Sequence, residues 1–347
     1  MKQAGNGAVI DLASVIEGIS AWVGIESPTS DKAAVMRMID RVANDLEGLP
    51  VAAERIAGRD GFADILAVRT SGAEERPGIL VLSHVDTVHP LGTLSGPLSI
   101  RRDGDKLYGP GVYDMKGGAY LAMDAFRRTV RGGANRMPIT FLFTPDEEVG
   151  SPMSRAVIER EAKHARYVLV TEPARDGGKV VTARKGVGRF FVTATGVPAH
   201  SGSRHQDGRS AIKEMAHQVL AVHGMTDYAR GITTSVGKIV GGTADNVVPQ
   251  HCRMSIDLRV RDAETGREME AKIRGLKPVD PDVTLEVTGQ MNRPPFEKTP
   301  AIEGLLRQAQ ALAREIGFEL SDSAMTGGGS DGNFTAFMGL ATLDGLG

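Results

Sequence analysis

The sequence lacks the features that mark several classes of protein. Among its 347 residues there is one cysteine, Cys252, and one tryptophan. A single thiol cannot form an internal disulfide, which is typical of a reducing compartment. No apolar run approaches the roughly 18 residues that a membrane-spanning helix needs. Near the amino terminus, Asp11 and Glu17 interrupt the stretch that would be apolar in a secretory signal. We therefore expect a cytoplasmic protein with no membrane contact.

The sequence also lacks an excess of charge of either sign. Its 41 basic and 43 acidic residues leave a formal net charge of -2. That balance provides no electrostatic reason to expect nucleic acid as a partner, so a small molecule is the expected ligand. The content of 41% hydrophobic and 24% charged residues is typical of a globular protein. The length suits roughly two domains.

Short apolar strands alternate with helical patterns in the first half of the chain. Buried strands are predicted at "GILVLSH" (78–84), "PITFLFT" (138–144) and "RYVLVTE" (166–172). Apolar strands separated by helices indicate a mostly parallel sheet with helices on both faces. We expect a larger α/β domain made of residues 1–184 and 295–347.

The pattern changes to strands of alternating polarity between residues 185 and 294. The predicted order is strand, helix, strand, strand, helix, strand, which fits a small α+β unit of the ferredoxin-like type. Because the pattern typical of the larger domain resumes at about residue 295, we expect this unit to be inserted into that domain. A half-exposed sheet face suits a lid or dimerisation domain.

Acidic and imidazole side chains follow the predicted buried strands or lie in a Gly-rich loop. They are His84, Asp86, Asp114, Glu147, Glu148 and Glu172. The carboxyl ends of parallel strands share one edge of a sheet, where α/β proteins bind ligands. Convergence without a cation would cost about a few kcal/mol for each pair of like charges. The pattern therefore predicts a divalent metal site; histidine with carboxylates suits zinc, and a shared carboxylate suits two ions.

Seven motifs, read together, resemble one enzyme family. They are "SHVDTV", "GPGVYDMKGG", "TPDEEVGS", "TEP", "PAHSG", "ADNVVP" and "GGGSDGN". In order and spacing they resemble the two-zinc metallohydrolases that include glutamate carboxypeptidase, acetylornithine deacetylase and succinyl-diaminopimelate desuccinylase. The resemblance implies hydrolysis of an amide or peptide bond next to an amino acid with a free carboxylate. The alternatives are an N-acyl amino acid deacylase and a catalytically impaired relative that binds a metal and an amino acid.

The resemblance also implies roles for the acidic and imidazole residues. The metal ligands would be His84, Asp114, Glu148 and Glu172. Asp114 would bridge two zinc ions, for which cobalt is an expected substitute. Glu147 would be the general base, and Asp86 would fix the orientation of the His84 imidazole.

The resemblance places further candidates in the insert and the last segment. His200 would reach the metal site of a partner subunit in a homodimer and stabilise the oxyanion. The expected substrate-binding residues are Asn246, Arg293, Gly328 and Ser330. Since arginine matches a carboxylate in a bidentate geometry, the expected substrate is a dipeptide or other small molecule with a terminal carboxylate.

The chain departs from the family pattern at its carboxyl end. In the family, a histidine that follows the "DGLG" segment completes the second zinc site. Here Gly347 is the last residue, and no histidine follows His251. A truncated product and a natural variant would both explain this, and an end straight after an apolar strand favours truncation. As printed, the chain is expected to have an incomplete second metal site and weak hydrolysis.

Overall fold

A computed structural model describes residues 10–73, 75–96, 98–133 and 135–347. The chain divides into two compact units. The first unit contains the chain up to Ala183 together with Lys298–Met325 and Ser330–Gly347, and the second contains Arg184–Glu297 and Thr326–Gly329. The insert was expected over residues 185–294, and the short segment 326–329 was expected in the larger domain.

Helices and strands alternate along the described chain. The helices are α1 (Leu12–Val23), α2 (Lys32–Asp45), α3 (Gly117–Arg131), α4 (Ser154–Ala162), α5 (Ala211–His223), α6 (Ala263–Arg274), α7 (Pro300–Glu315) and α8 (Gly332–Phe337). The strands are β1 (Ala52–Ile56), β2 (Ile65–Arg69), β3 (Gly78–His84), β4 (Arg101–Asp103), β5 (Lys106–Tyr108), β6 (Ile139–Thr144), β7 (Ala165–Val170), β8 (Val180–Val181), β9 (Gly186–Thr195), β10 (Thr233–Gly241), β11 (His251–Val260), β12 (Thr284–Arg293), β13 (Asp322–Ser323) and β14 (Ala341–Leu343). None of the helices in the described ranges is long and apolar enough to cross a membrane.

Side-chain caps explain where several helices begin. Asp31 precedes α2 and accepts a hydrogen bond from the backbone N–H of Ala34, and Asp262 caps α6 in the same way. Thr299 caps α7, whose first residue is a proline. These residues satisfy N–H groups that have no partner inside the helix.

A six-stranded sheet forms the first unit, in the order β1-β2-β6-β3-β7-β14. Strands β6, β3, β7 and β14 are parallel, which confirms the predicted mostly parallel sheet. Strand β2 runs antiparallel to β6, and β1 runs antiparallel to β2. This antiparallel edge was not predicted.

Helices cover both faces of this sheet. On one face α1, α2 and α3 pack around the sheet, and Trp22, Phe141 and Phe143 are fully buried there. On the other face α4 and α8 pack against residues such as Leu82 and Leu142. Burial on both faces explains why β3 and β6 are apolar over most of their length.

Part of the first unit remains an open apolar surface. A groove of about 310 Å³ is lined by residues of α3, β3 and β7 and by Leu346. Leu121 of α3 lies in this groove and is 46% exposed. The described residues therefore leave an apolar area beside the sheet that water can reach.

The second unit is a four-stranded antiparallel sheet with two helices. The strand order is β10-β11-β9-β12, and the chain order is the predicted strand, helix, strand, strand, helix, strand. Helices α5 and α6 pack on one face, where Phe190, Met215 and Met254 are buried. Cys252 is buried in the same core, where it serves as a strand residue. Strand β10 forms one edge of this sheet.

Candidate metal centre

The sheet of the first unit brings three strand ends together. Strand β3 lies between β6 and β7, and all three run parallel, so their carboxyl ends meet at one edge. His84 is the last residue of β3, and Glu172 lies two residues after β7. Glu147 and Glu148 follow β6 in a short 3-10 turn. Asp114 comes from the Gly-rich loop that precedes α3.

The structure brings five of the predicted side chains close together. The Nε2 atom of His84 lies 3.1 Å from Oδ1 of Asp114 and 3.6 Å from Oε1 of Glu172. The possible ligand atoms of His84, Asp114 and Glu148 all lie within 4.8 Å of one another, as do those of His84, Glu147 and Glu172. Ligands of a tetrahedral zinc ion are separated by about 3.4 Å, given bonds of about 2.1 Å. One imidazole with several carboxylates at these distances could therefore hold a metal ion.

The electrostatics of this cluster are those of a cation site. The pKa of Glu148 is raised to about 7, chiefly by burial; the nearby His84 lowers it, and the negative charges of Asp114 and Glu147 raise it. Burial lowers the pKa of His84, but hydrogen bonds to Asp114 and Asp86 outweigh burial and place that pKa well above its usual range. A divalent cation would remove the repulsion that raises the pKa of Glu148.

Asp86 is positioned to hold both His84 and the turn after β6. Its side chain is 0% exposed, and Oδ1 lies 3.4 Å from Nδ1 of His84. The same imidazole nitrogen lies 3.0 Å from the backbone oxygen of Asp86. The Asp86 carboxylate also accepts hydrogen bonds from the backbone N–H groups of Glu147 and Glu148, each at 3.2 Å. These two hydrogen bonds from the turn after β6 were not predicted from the sequence.

The donors fall into two groups, one of His84, Asp114 and Glu148 and the other of His84, Glu147 and Glu172. The resemblance implied instead that His84, Asp114 and Glu172 hold the first ion, and that Asp114 and Glu148 hold the second. His84 is common to both groups. The side chain of Asp114 is 52% exposed, so it lies on the solvent-accessible side of the cluster. The separate roles of Glu147 as base and Glu148 as ligand thus stay predictions.

In the second unit, His200 and Asn246 lie on neighbouring turns. The Nδ1 atom of His200 accepts backbone N–H groups of Gly202 at 3.1 Å and Ser203 at 3.2 Å. When the imidazole is neutral, its proton must then reside on Nε2. The N–H of Ser201 donates to the backbone oxygen of Asn246 at 3.0 Å. Both His200 and Asn246 are exposed.

Basic residues hold the Gly-rich segment 326–329 of the second unit. Arg293 is 5% exposed, and a Cβ added at Gly329 would come within 2.7 Å of its Cδ atom. Arg184, which is 1% exposed, donates from Nη1 to the backbone oxygen of Gly328 at 3.2 Å. The sequence did not single out Arg184, because a lone arginine before "KGVG" has no distinguishing spacing.

Ser330 belongs to the first unit and is 0% exposed. Its hydroxyl donates to the carboxylate of Asp344, in the "DGLG" segment. The backbone N–H of Gly347 in the same segment donates to the backbone oxygen of Glu172 at 2.9 Å. The carboxyl-terminal segment therefore packs beside one of the cluster residues.

Comparison with known proteins identifies the family. The sequence pattern of peptidase family M20/M25/M40 matches residues 80–347. The chain belongs to this peptidase family. Its membership confirms the predicted resemblance and the predicted class of activity, metal-dependent hydrolysis of amide or peptide bonds. The cluster around His84 is the candidate metal site of this chain.

Curated relatives and solved structures extend this result. Carboxypeptidase G2 of Pseudomonas sp. (strain RS-16) is 29% identical over 343 residues, which cover 96% of this chain and 81% of that enzyme. Succinyl-diaminopimelate desuccinylase of Novosphingobium aromaticivorans is 29% identical over 244 residues, which cover 66% of this chain and 64% of the relative. The crystal structure of aminopeptidase PepT from Bacillus cereus ATCC 10987 superposes with a TM-score of 0.71 at 21% identity, covering 96% of this chain and 90% of the other. The α/β fold is thereby confirmed.

Proposed function

We propose that this protein is a carboxypeptidase-type hydrolase that cleaves an amide or peptide bond next to an amino acid with a free carboxylate. One observation carries the proposal: His84 and four carboxylates converge at the carboxyl ends of β3, β6 and β7. The long match to carboxypeptidase G2, over 96% of the chain, favours this type over the deacylase type.

The proposed metal ligands are His84, Asp114, Glu148 and Glu172. Zinc is the proposed ion, with cobalt as a substitute, because one imidazole and several carboxylates form a borderline-soft donor set. Bound ions would polarise the scissile carbonyl and lower the pKa of water in the site. Because the cluster contains one imidazole, we expect each chain to hold close to one ion tightly.

The proposed proton carrier is the carboxylate of Glu147. It would accept a proton from the attacking water on a side-chain oxygen and deliver that proton to the leaving nitrogen. Asp86 would keep the His84 imidazole in one orientation, since it contacts Nδ1 while Nε2 faces the carboxylates.

Residues of the second unit are proposed to recognise the substrate. Arg293 would bind the terminal carboxylate, with Asn246 and the backbone of Gly328 beside it. His200 would donate from Nε2 to the oxyanion, a role that suits a ring whose Nδ1 already accepts two N–H groups. In the first unit, Ser330 is proposed to contact the substrate through the backbone of its loop, because its hydroxyl already donates to Asp344.

A homodimer formed through the second unit is part of the proposal. Edge strand β10 exposes Ile239 and Val240, which are 50% and 64% accessible, and α5 exposes Leu220 at 73%. An apolar strand edge beside an apolar helix stripe suits a self-complementary interface. Ile239→Lys should shift the protein toward monomer in sedimentation velocity, whereas Lys272→Gln on α6 should not.

The decisive substrate experiment compares matched pairs. N-acyl amino acids and dipeptides with a free terminal carboxylate are assayed beside their carboxamides. We expect the free acids to react at least about 100-fold faster, because a carboxamide offers the Arg293 guanidinium no charged acceptor with two equivalent oxygens. Equal rates would contradict the carboxypeptidase assignment, and faster turnover of acyl-glutamate than of any dipeptide would favour the deacylase. A bound metal without turnover would indicate the impaired relative.

A further inference from the structure

A segment before α2 is bonded to the segment that follows β3. The backbone N–H of Thr29 donates to the oxygen of Thr87 at 3.2 Å, and the N–H of Thr87 donates to the oxygen of Ser27 at 2.9 Å. The hydroxyl of Ser27 donates to the oxygen of Val85 at 2.6 Å. This segment, residues 25–29, therefore lies directly beside Asp86.

One side chain of the 25–29 segment contacts the Asp86 carboxylate itself. The hydroxyl of Thr29 donates to Oδ2 of Asp86 at 2.6 Å, and the two residues are 7% and 0% exposed. The same oxygen accepts the N–H of Glu148, while Oδ1 accepts the N–H of Glu147 and faces His84. Thr29 thus fixes the rotation of a carboxylate that contacts both the imidazole and the turn after β6.

We infer that Thr29 is a positioning residue of the hydrolytic centre, acting through Asp86. A carboxylate with a short hydroxyl contact on one oxygen has one preferred orientation, and here that orientation places Oδ1 beside Nδ1 of His84. Without the hydroxyl, Asp86 can rotate and release the imidazole and the turn that carries Glu147 and Glu148. This inference rests on the proposed roles of His84 and Glu147 and is independent of the substrate.

The Thr29 hydroxyl is not required for docking the 25–29 segment. Two backbone hydrogen bonds and the Ser27 hydroxyl connect this segment to residues 85–87. At its other end, Nζ of Lys116 donates to the backbone oxygen of Ile25 at 2.5 Å. Removal of the Thr29 hydroxyl should therefore leave the segment in place while it changes the orientation of Asp86.

The test uses three substitutions in the full chain. Thr29→Val keeps the shape of the side chain and removes the hydroxyl, and Thr29→Ser restores the hydroxyl. Ser27→Ala is the matched control, because it removes a buried hydroxyl bond of equal length, 2.6 Å, that ends on a backbone oxygen. The readouts are the Kd for Co²⁺, the visible absorption spectrum of the cobalt-loaded protein, and kcat and KM.

For Thr29→Val we expect roughly 10-fold to 100-fold weaker Co²⁺ binding, an altered cobalt spectrum, and a lower kcat with little change in KM. Thr29→Ser should match the wild type within about twofold, since it restores the hydrogen bond. Ser27→Ala should lower the melting temperature as much as Thr29→Val does, while its Co²⁺ affinity and spectrum stay those of the wild type.

Two results would overturn the inference alone. One is a Thr29→Val protein with wild-type Co²⁺ affinity and spectrum; the other is a Ser27→Ala protein that shows the same losses as Thr29→Val. A wild-type chain that binds no Co²⁺ would instead overturn the proposed metal site, and the role of Thr29 with it. The wild-type titration therefore separates the two failures.

Discussion

The two units present their candidate residues in different ways. In the first unit, His84 and Asp86 are 2% and 0% exposed and lie at or just beyond a strand end. In the second, His200 and Asn246 are exposed on turns. Parallel strand topology brings His84 to the acidic residues that follow β6 and β7, whereas local backbone hydrogen bonds position His200 and Asn246. The comparison predicts that substitutions of the proposed metal ligands in the first unit change metal binding, and that substitutions in the second unit change only turnover.

The largest expected effect separates the base from the ligands within the first unit. Glu147→Gln should lower kcat by about 100-fold to 10,000-fold, because an amide cannot take the proton of the attacking water. Metal content, measured by elemental analysis, should stay that of the wild type. The same substitution at Glu159, a partly exposed residue paired with Arg155, is the control. A Glu147→Gln protein that loses its metal would show that Glu147 is a ligand.

A somewhat smaller effect is expected from the second unit. His200→Ala should lower kcat by roughly 100-fold to 1,000-fold through loss of an oxyanion donor, with unchanged metal affinity. Mixing this chain with Glu147→Gln should restore part of the activity if His200 serves the partner subunit, because a mixed dimer can pair an intact base with an intact histidine. Absence of rescue after verified subunit exchange would mean that His200 acts within its own chain or not at all.

Loss of an ion pair should lower the free energy of unfolding more in the first unit than in the second. Arg69 contacts Glu161 at 2.8 Å with both side chains about one-tenth exposed, whereas Arg230 and Glu268 of the second unit form an exposed pair. Glu161→Gln should lower the free energy of unfolding by about 2 kcal/mol at pH 7, less than for a fully buried pair. Glu268→Gln should have no measurable effect, because solvent screens exposed charges. Equal losses in urea unfolding of the metal-free proteins would contradict the comparison.

The contribution of Glu161 to the free energy of unfolding should also depend on pH. Burial raises the pKa of Glu161, but hydrogen bonds from Arg69 and Arg160 outweigh burial and hold that pKa below its usual value. A carboxyl with a lowered pKa in the folded state contributes stability above its unfolded pKa, about 4.3, and that contribution is lost as pH falls through the folded pKa. The difference between the wild type and Glu161→Gln should therefore shrink below about pH 4 in urea unfolding experiments. A difference in the free energy of unfolding that stays constant down to pH 2 would contradict the explanation by a lowered pKa of Glu161.

Much of the first unit was predictable from the sequence because its central strands are apolar over most of their length. Strand β3 ends at His84, and β6 and β7 end shortly before Glu147 and Glu172, so parallel pairing brings these residues to one edge of the sheet. The strand Ala52–Ile56 was not predicted, since it is exposed over most of its length and has no apolar alternation. Its position depends on pairing with β2, which the local sequence does not encode.

The contacts between side chains were less predictable than the cluster. Thr29 lies 57 residues from Asp86, and its stretch "SPTSD" indicates a helix cap, which Asp31 indeed supplies. Arg184 likewise has no motif, and its contact with Gly328 spans 144 residues. Such contacts depend on tertiary packing, so spacing along the chain contains no signal for them.

The central claim is that the cluster around His84 is the metal-dependent hydrolytic centre. Its most direct test is the metal content and turnover of the wild type, His84→Ala and Arg293→Lys, measured on the same preparations. We predict that His84→Ala loses the tightly held ion and all turnover, while Arg293→Lys keeps the ion and loses turnover. A His84→Ala chain that binds its metal as tightly as the wild type and still hydrolyses substrate would contradict the claim.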